Sequence, residues 1–310
     1  MKKSSFQISG AVLIVIAASL WALDGVVRRS LFSLPPITIV FFEHLIGFLI
    51  FLPFFIKALK GVKLTRREWL LAAAVSLLSS LLGTLWFTTA LLKVNFISLS
   101  VVFLLQKLQP LFTITSARLL LKEKLNGAYG IWAGLALVAA YFVTFPNGAI
   151  NSNSGAGTIA AALFAVGAAA AWGTGTTLSK MLLKTTSEQV ATGLRFGLTS
   201  VFGLVAVVLM GQLGTLTTPS VSQFSRFIFI ALSTGMVALF IYYKGLKTTK
   251  ASVATILELT FPLLAVFIDM VVYKSFLLPS QYLAALVLML AMYKVGKLSH
   301  HDNEDTEKIS

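Results

Sequence analysis

Leu105-Gln106-Lys107-Leu108-Gln109-Pro110-Leu111 and Leu257-Glu258-Leu259-Thr260-Phe261-Pro262-Leu263 are the two stretches that decide how this chain is built. Each sets polar groups and a proline inside a long apolar run, and the two stand 152 residues apart. Other pairs keep nearly the same offset. Trp21, after Ala18-Ser19-Leu20, matches Trp172, after Ala169-Ala170-Ala171; His44 falls on Arg195, Lys122 on Lys274, and Tyr129 on Tyr282. One such match between apolar segments is chance. Trp, Pro and Tyr matched in order at one offset read as a duplication of about 150 residues.

The runs that carry these matches are long enough to be membrane spans. A helix needs roughly 20 mainly apolar residues to cross the hydrocarbon core. The sequence predicts about ten such helices, at 8–28, 36–58, 69–92, 97–121, 126–145, 157–180, 188–211, 223–245, 251–272 and 279–299. Apolar residues make up 57% of the chain and charged residues 12%. A soluble chain carries roughly 25% charge, so this one lacks the means to cover a surface in water. An open sheet would leave backbone groups unsatisfied in lipid, and a barrel would show short alternating segments. The expected fold class is therefore all-α integral membrane, with the lipid bilayer as its solvent. Lys2 and Lys3 before an apolar run resemble a signal peptide, but the run continues to Trp21 and has its counterpart near Trp172. Connections are short, and the segment 300–310 is polar.

The net charge of +14 suggests nucleic acid until its distribution is read. The basic residues cluster between apolar runs and sort by side. With a cytoplasmic N-terminus, the inner connections hold Lys2, Lys3, Lys57, Lys60, Lys63, Arg66, Arg67, Arg118, Lys122, Lys124, Lys180, Lys184, Lys244, Lys247, Lys250, Lys294, Lys297 and Lys308. The outer ones hold Arg28, Arg29, Lys93, Arg226 and Lys274. That bias predicts both termini inside and explains the basic balance with no nucleic-acid partner. There is no cysteine, and of three histidines His300 and His301 lie in the tail beside a lone His44. Neither a disulfide frame nor a metal centre is expected.

The duplication divides the chain into 1–150 and 151–299, each with five expected spans, followed by the tail 300–310. Five is odd, so the second unit must enter from the opposite side. Inverted repeats around a central cavity are a recurrent carrier architecture, because exchanging the conformations of two similar halves exposes one site to each side in turn.

Two five-helix units, each with a Trp late in its first helix and a Pro within its fourth, resemble the EamA-type transporters of the drug/metabolite transporter superfamily. Gln106–Leu125, with Pro110 and the closing Lys122-Glu123-Lys124-Leu125, is similar to the end of one such unit. Ala169–Trp172-Gly173 is similar to the start of the next, and Leu194-Arg195-Phe196 to its usual second-helix arginine. The resemblance covers roughly 10–298. It implies a carrier of small polar metabolites, amino acids or related compounds, most often in the sense of export. The chain departs from the pattern at Glu43-His44, where an arginine is usual, at Asp24, and at Lys107.

Ionisable residues inside spans are costly and face the protein interior or water-filled cavities. Lys107 lies about ten residues into its span, roughly 15 Å deep, with Gln106 and Gln109 beside it. It reads as an attractive point for a substrate anion or as half of a structural ion pair. Glu258, the counterpart of Gln106, could take a substrate amine, carry a coupling proton, or pair with Lys107 or Arg195; Glu43 is an equally good partner for Lys107 on paper. Asp24 is expected to bridge to Arg28, one turn on. His44 is a site residue or a hydrogen-bonded packing residue. Arg195 is expected in structural pairing, on a face with Glu188, Thr192 and Thr199. Trp21, Trp86 and Trp172 wall a cavity or face lipid, while Trp69 reads as an interfacial anchor. Pro110 and Pro262 each remove a helical hydrogen bond and are expected to kink and gate. Gly130–Gly134 and Gly193–Gly197 have the spacing that lets helices approach closely.

The leading reading is a secondary transporter working by alternating access on a small-molecule substrate, as a monomer or homodimer. Coupling to a proton or another ion, and no coupling at all, both remain open. No phosphate-binding loop is present, and Gly173-Thr174-Gly175 lies inside a span, so no cofactor is expected. A channel or receptor would show a continuous polar lining. A membrane-embedded enzyme would cluster acids or histidines at one interface. Neither pattern stands out. Tags at the two termini should both report cytoplasmic exposure, and an external tail would overturn this topology. Lys107→Ala should abolish transport at normal expression; undiminished flux would remove Lys107 from the site.

Overall fold

The computed structural model describes residues 9–92, 105, 108–122, 127–144, 147, 156–273, 278–280, 282–291 and 294, and among them every regular element is helical. In chain order these are α1 (Gly10–Arg29), α2 (Pro36–Leu59), α3 (Arg66–Val75), α4 (Thr84–Leu92), α5 (Gln109–Ser116), α6 (Gly127–Thr144), α7 (Ala156–Leu183), α8 (Glu188–Leu209), α9 (Val221–Leu232), α10 (Met236–Thr248), α11 (Ala251–Leu257) and α12 (Thr260–Tyr273). A further helical stretch covers 282–291. A π-helical segment, Ser76–Gly83, joins α3 to α4 without a break.

Local sequence sets the boundaries. Helix N-termini leave N–H groups without intrahelical acceptors, and Ser, Thr and Asp side chains supply them. Ser9 accepts from the Val12 N–H and Ser187 from the Val190 N–H. Thr65 with Glu68, and Ser220 with Gln223, close reciprocal capping boxes. Pro36 opens α2, where its missing N–H costs nothing. Gly61 (φ +78°) and Gly211 (φ +66°) follow the ends of α2 and α8 in the left-handed conformation that glycine adopts without penalty.

Among the described residues, five stretches are long and apolar enough to cross a bilayer: Pro36–Leu59, Arg66–Leu91, Ala160–Leu183, Glu188–Leu209 and Val221–Thr248. Three shorter apolar helical stretches, Gly10–Asp24, Gly130–Ala139 and Tyr282–Ala291, fall within other expected spans. The expected span 251–272 is split into α11 and α12. Most of 97–108 lies outside the described residues, Gln106 and Lys107 included.

Helix contacts occur in pairs that exchange when the halves are exchanged. α1 packs on α10, as α7 packs on the Ser76–Gly83 segment and α4. α5 packs on α7, as α12 packs on α1. α2 and α8, which the repeat maps onto each other, share the most extensive seam. The loops sort to two ends. At one, Gln223 donates to Ser33 Oγ (2.9 Å), Arg226 to the Ser30 carbonyl (2.7 Å), and Thr38 bonds Thr215 (2.6 Å). At the other, Lys180 donates to the Leu246 and Lys247 carbonyls and Lys247 pairs with Glu188.

The α2–α8 seam depends on small residues. A Cβ on Gly197 would stand 2.8 Å from the Phe48 ring, and one on Gly193 would run into Phe55. The second glycine pair behaves otherwise: a Cβ on Gly130 or Gly134 would meet nothing within 4 Å. Gly193→Val should therefore lower the thermal unfolding midpoint of the detergent-solubilised protein, by the equivalent of about 1–3 kcal/mol of overpacking, whereas Gly134→Ala should leave it unchanged. Equal midpoints for Gly193→Val and wild type would show that the seam is looser than drawn.

Candidate functional site

Three departures from regular helix meet at one cavity. The Ser76–Gly83 segment widens its helix and carries Ser79 and Ser80 toward α8. Ser233-Thr234-Gly235 interrupts the span between α9 and α10, with backbone angles at Ser233 and Gly235 outside the helical range. Glu258-Leu259 interrupts the span between α11 and α12. Gly83 and Gly235, at the first two departures, are 152 residues apart and so repeat-matched. Irregular backbone within a span is tolerated where it is buried in protein or lines a cavity. Pro110 stands at the second residue of α5 and Pro262 at the third of α12. The expected mid-helix kink is thus replaced by a fresh helix start, because proline in a first turn removes no intrahelical bond.

The cavity measures about 210 Å³. At one side, the Arg28 guanidinium is only 5% exposed and bonds Asp24 through Nε (2.5 Å) and Glu43 through Nη2 (2.8 Å). The second oxygen of Asp24 accepts from Thr234 (2.7 Å). This network ties α1 to α2 and to the break before α10. The expected local bridge is therefore present, but it is the smaller part of the arrangement. Arg28 is not a loop cation, and the partner of Glu43 is Arg28. Two carboxyl groups face one guanidinium, whose Nη1 is buried with no hydrogen-bond partner among the described residues.

Beside it, the buried His44 places Nδ1 2.8 Å from the Val40 carbonyl and its ring 5.0 Å from Phe196. A carbonyl only accepts, so Nδ1 carries the hydrogen of this bond. His44 is thus a hydrogen-bonded packing residue that also lines the cavity.

Across the cavity, Glu258 accepts from Tyr242 Oη (2.7 Å) and Gln109 Nε2 (2.8 Å). Tyr242 sits 3.3 Å from Thr176, while Thr113 reaches Thr255 at 3.2 Å. Among the described residues, neutral donors and no cation hold this carboxylate. Arg195 has the mirror-image arrangement. Its Nε donates to Ser80 (2.5 Å), Nη1 to Tyr243 (3.0 Å) and Nη2 to Ser79 (3.0 Å), with Cζ 5.7 Å from the Tyr243 ring centre. The expected ionic pairing is absent: Glu188 pairs with Lys247, and among the described residues no carboxylate lies within 4.0 Å of Arg195.

Aromatic rings complete the walls. Trp21 contacts Tyr242 at 5.2 Å, and Phe87 contacts Trp172 at 5.2 Å. Of the side chains singled out from the sequence, Trp21, Asp24, Glu43, His44, Pro110, Trp172 and Glu258 line the cavity together. Trp86 does not line it. It lies against Gly167, where a Cβ would come within 2.9 Å of its ring, and its neighbour Phe87 takes the cavity position. Gln106 and Lys107 lie outside the described residues. Arg28, Arg195, Tyr242, Thr234 and Ser79 line it without having been singled out as site residues. Among the described residues, no group of three or more His, Asp or Glu side chains is arranged to hold a metal ion.

The architecture is that of a polytopic helical membrane protein with an internal, aromatic-walled polar cavity, and two matches to the family model cover residues 8–145 and 159–296. The chain belongs to the EamA-like transporter family. It is 37% identical over 296 residues to the riboflavin transporter ImpX of Fusobacterium nucleatum subsp. nucleatum, a match spanning 94% of this chain and 99% of that one. A solved structure, described simply as the crystal structure of a protein, superposes with a TM-score of 0.73 at 16% identity, covering 94% of this chain and 98% of its own. That likeness bears on the fold alone.

Removing one member of a buried ion network leaves the others uncompensated, at about 3–5 kcal/mol. Arg28→Gln should therefore sharply lower the unfolding midpoint, and Arg28→Gln combined with Asp24→Asn and Glu43→Gln should recover most of the loss. A triple variant no more stable than Arg28→Gln would show that the network contributes shape rather than charge balance.

Proposed function

We propose that this chain is a secondary carrier, working by alternating access, whose cargo is riboflavin or a similar planar heterocycle bearing a hydroxylated chain. One observation carries the choice of cargo: the cavity is walled by Trp21, Phe87, Trp172, Phe196 and Tyr242, while most of its charge is spent internally. A zwitterionic amino acid has little use for five rings. A flat heterocycle gains about 0.5–1.5 kcal/mol per well-placed aromatic partner beyond area burial, and its polar edge finds Thr176, Thr255, Ser79 and Gln109. The riboflavin transporter of F. nucleatum, related over nearly its full length, supports the same cargo. The amino-acid reading rests on the wider family alone.

In this reading the units 1–150 and 151–299 are inverted five-span repeats, and the segment 300–310 is a cytoplasmic tail. Both termini face the cytoplasm of a bacterial-type inner membrane. The exchange symmetry of the helix contacts supports the inversion. Lys107 and Gln106 belong to the substrate site with Glu258, Glu43, His44, Trp21, Trp172 and Asp24, and the helix starts at Pro110 and Pro262 act as hinges. Glu258, held by neutral donors, is the group suited to a coupling proton. An uncoupled carrier runs down the cargo gradient, so export and uptake are one mechanism run in opposite senses.

Proteoliposomes containing the purified protein should show saturable riboflavin flux. Trp172→Ala and Trp21→Ala should each weaken it roughly three- to tenfold, the loss of one aromatic contact. Flux of a labelled amino acid with none of riboflavin would overturn the cargo, and unitary currents would overturn the carrier.

A further inference from the structure

We propose that Arg195 is the substrate-orienting cation of the cavity, taking the carbonyl edge of a dioxo heterocycle such as the pyrimidinedione ring of a flavin. The inference rests on the flavin reading above and assigns which end of the cargo meets which wall.

The two arginines at the cavity differ in what balances them. Arg28 is held by two carboxylates. Arg195 is held by three hydroxyl oxygens, from Ser79, Ser80 and Tyr243. Hydroxyl dipoles fix a guanidinium in place without neutralising it. The carboxylates that share the cavity are engaged elsewhere: Asp24 and Glu43 with Arg28, and Glu258 with Tyr242 and Gln109. Arg195 is only partly buried and lines the cavity, so its charge is presented to whatever enters.

Donor counting gives the geometry of recognition. A guanidinium has five N–H groups in a fixed planar fork. The bonds to Ser80, Tyr243 and Ser79 use one each on Nε, Nη1 and Nη2. One N–H remains on each terminal nitrogen. Donors held in the plane of a rigid cation suit a ligand edge carrying acceptors in its ring plane. The carbonyl and ring-nitrogen acceptors along one edge of a flavin have that arrangement, and its hydroxylated chain does not. Phe196, the next residue in α8, lies against His44 and offers a ring surface to the same cavity.

The test is riboflavin binding by the purified full-length chain in detergent, followed by quenching of flavin fluorescence, for wild type, R195K and R195Q. Thermal unfolding of each variant is measured alongside. R195Q should bind roughly ten- to a hundredfold more weakly, the loss of charged hydrogen bonds. R195K keeps the charge but not the fork and should fall between. If R195Q does not fold, R195K alone decides: it must bind more weakly than wild type. A purely structural role would not move the infrared carbonyl bands of bound riboflavin labelled with 13C at C2 and C4. At least one of those bands should lie at lower frequency in wild type than in R195K. Unchanged affinity in the folded variants, or unchanged carbonyl bands, would overturn the role of Arg195 and leave the cargo standing. Failure of wild type to bind riboflavin would overturn the cargo and this assignment with it.

Discussion

The arrangement depends on the cost of holding charge where water is scarce. An isolated ion in a low-dielectric interior is untenable, so a buried charge must be matched and hydrogen-bonded. Arg28 meets that demand by gathering Asp24 and Glu43, and Thr234 takes the remaining oxygen of Asp24. Because these four residues belong to α1, α2 and the break before α10, satisfying one guanidinium fixes the relative positions of three chain segments. Apolar packing between helices in lipid lacks the drive it has in water. A network of this kind therefore contributes direction as well as energy.

The same economy explains why irregular helix concentrates at the cavity. A regular helix satisfies its own backbone and presents only side chains. The π-helical segment Ser76–Gly83 and the breaks at Ser233–Gly235 and Glu258-Leu259 release backbone groups and turn hydroxyls inward, where Arg195 and Asp24 use them. Wide helix turns and interruptions are unfavourable in hydrocarbon. Here each is buried against polar partners from another segment.

Much of this was legible in the sequence, and what was missed shares a physical origin. Apolar runs, the Trp21 and Trp172 match, and the intramembrane Glu43, His44 and Glu258 all announce themselves by composition and spacing. Arg28 reads as a loop cation from its place in the last turn of its helix; depth along a span is visible in sequence, but which neighbour closes over the end is not. For Arg195 the sequence shows only the neighbours on its own helical face, whereas its partners Ser79 and Ser80 are more than a hundred residues away. Trp86 and Phe87 are neighbours, and the sequence alone does not say which of them faces the cavity: Phe87 lines it and contacts Trp172, while Trp86 lies against Gly167. Tyr242 gave no signal, since a tyrosine among apolar residues reads as packing until its hydroxyl is seen on Glu258.

The exchange symmetry of the helix contacts has an energetic corollary. Under the alternating access proposed above, two halves identical in sequence could exchange conformations with no change in free energy, and the two states would be equally populated. The inequality between them comes from positions where the repeat is broken. Asp24 is matched by Gly175, Glu43 by Leu194, His44 by Arg195 and Gln106 by Glu258. These mismatches are nearly all charged, and nearly all lie at the cavity. In that proposal, these electrostatic differences are among the features that bias one state over the other.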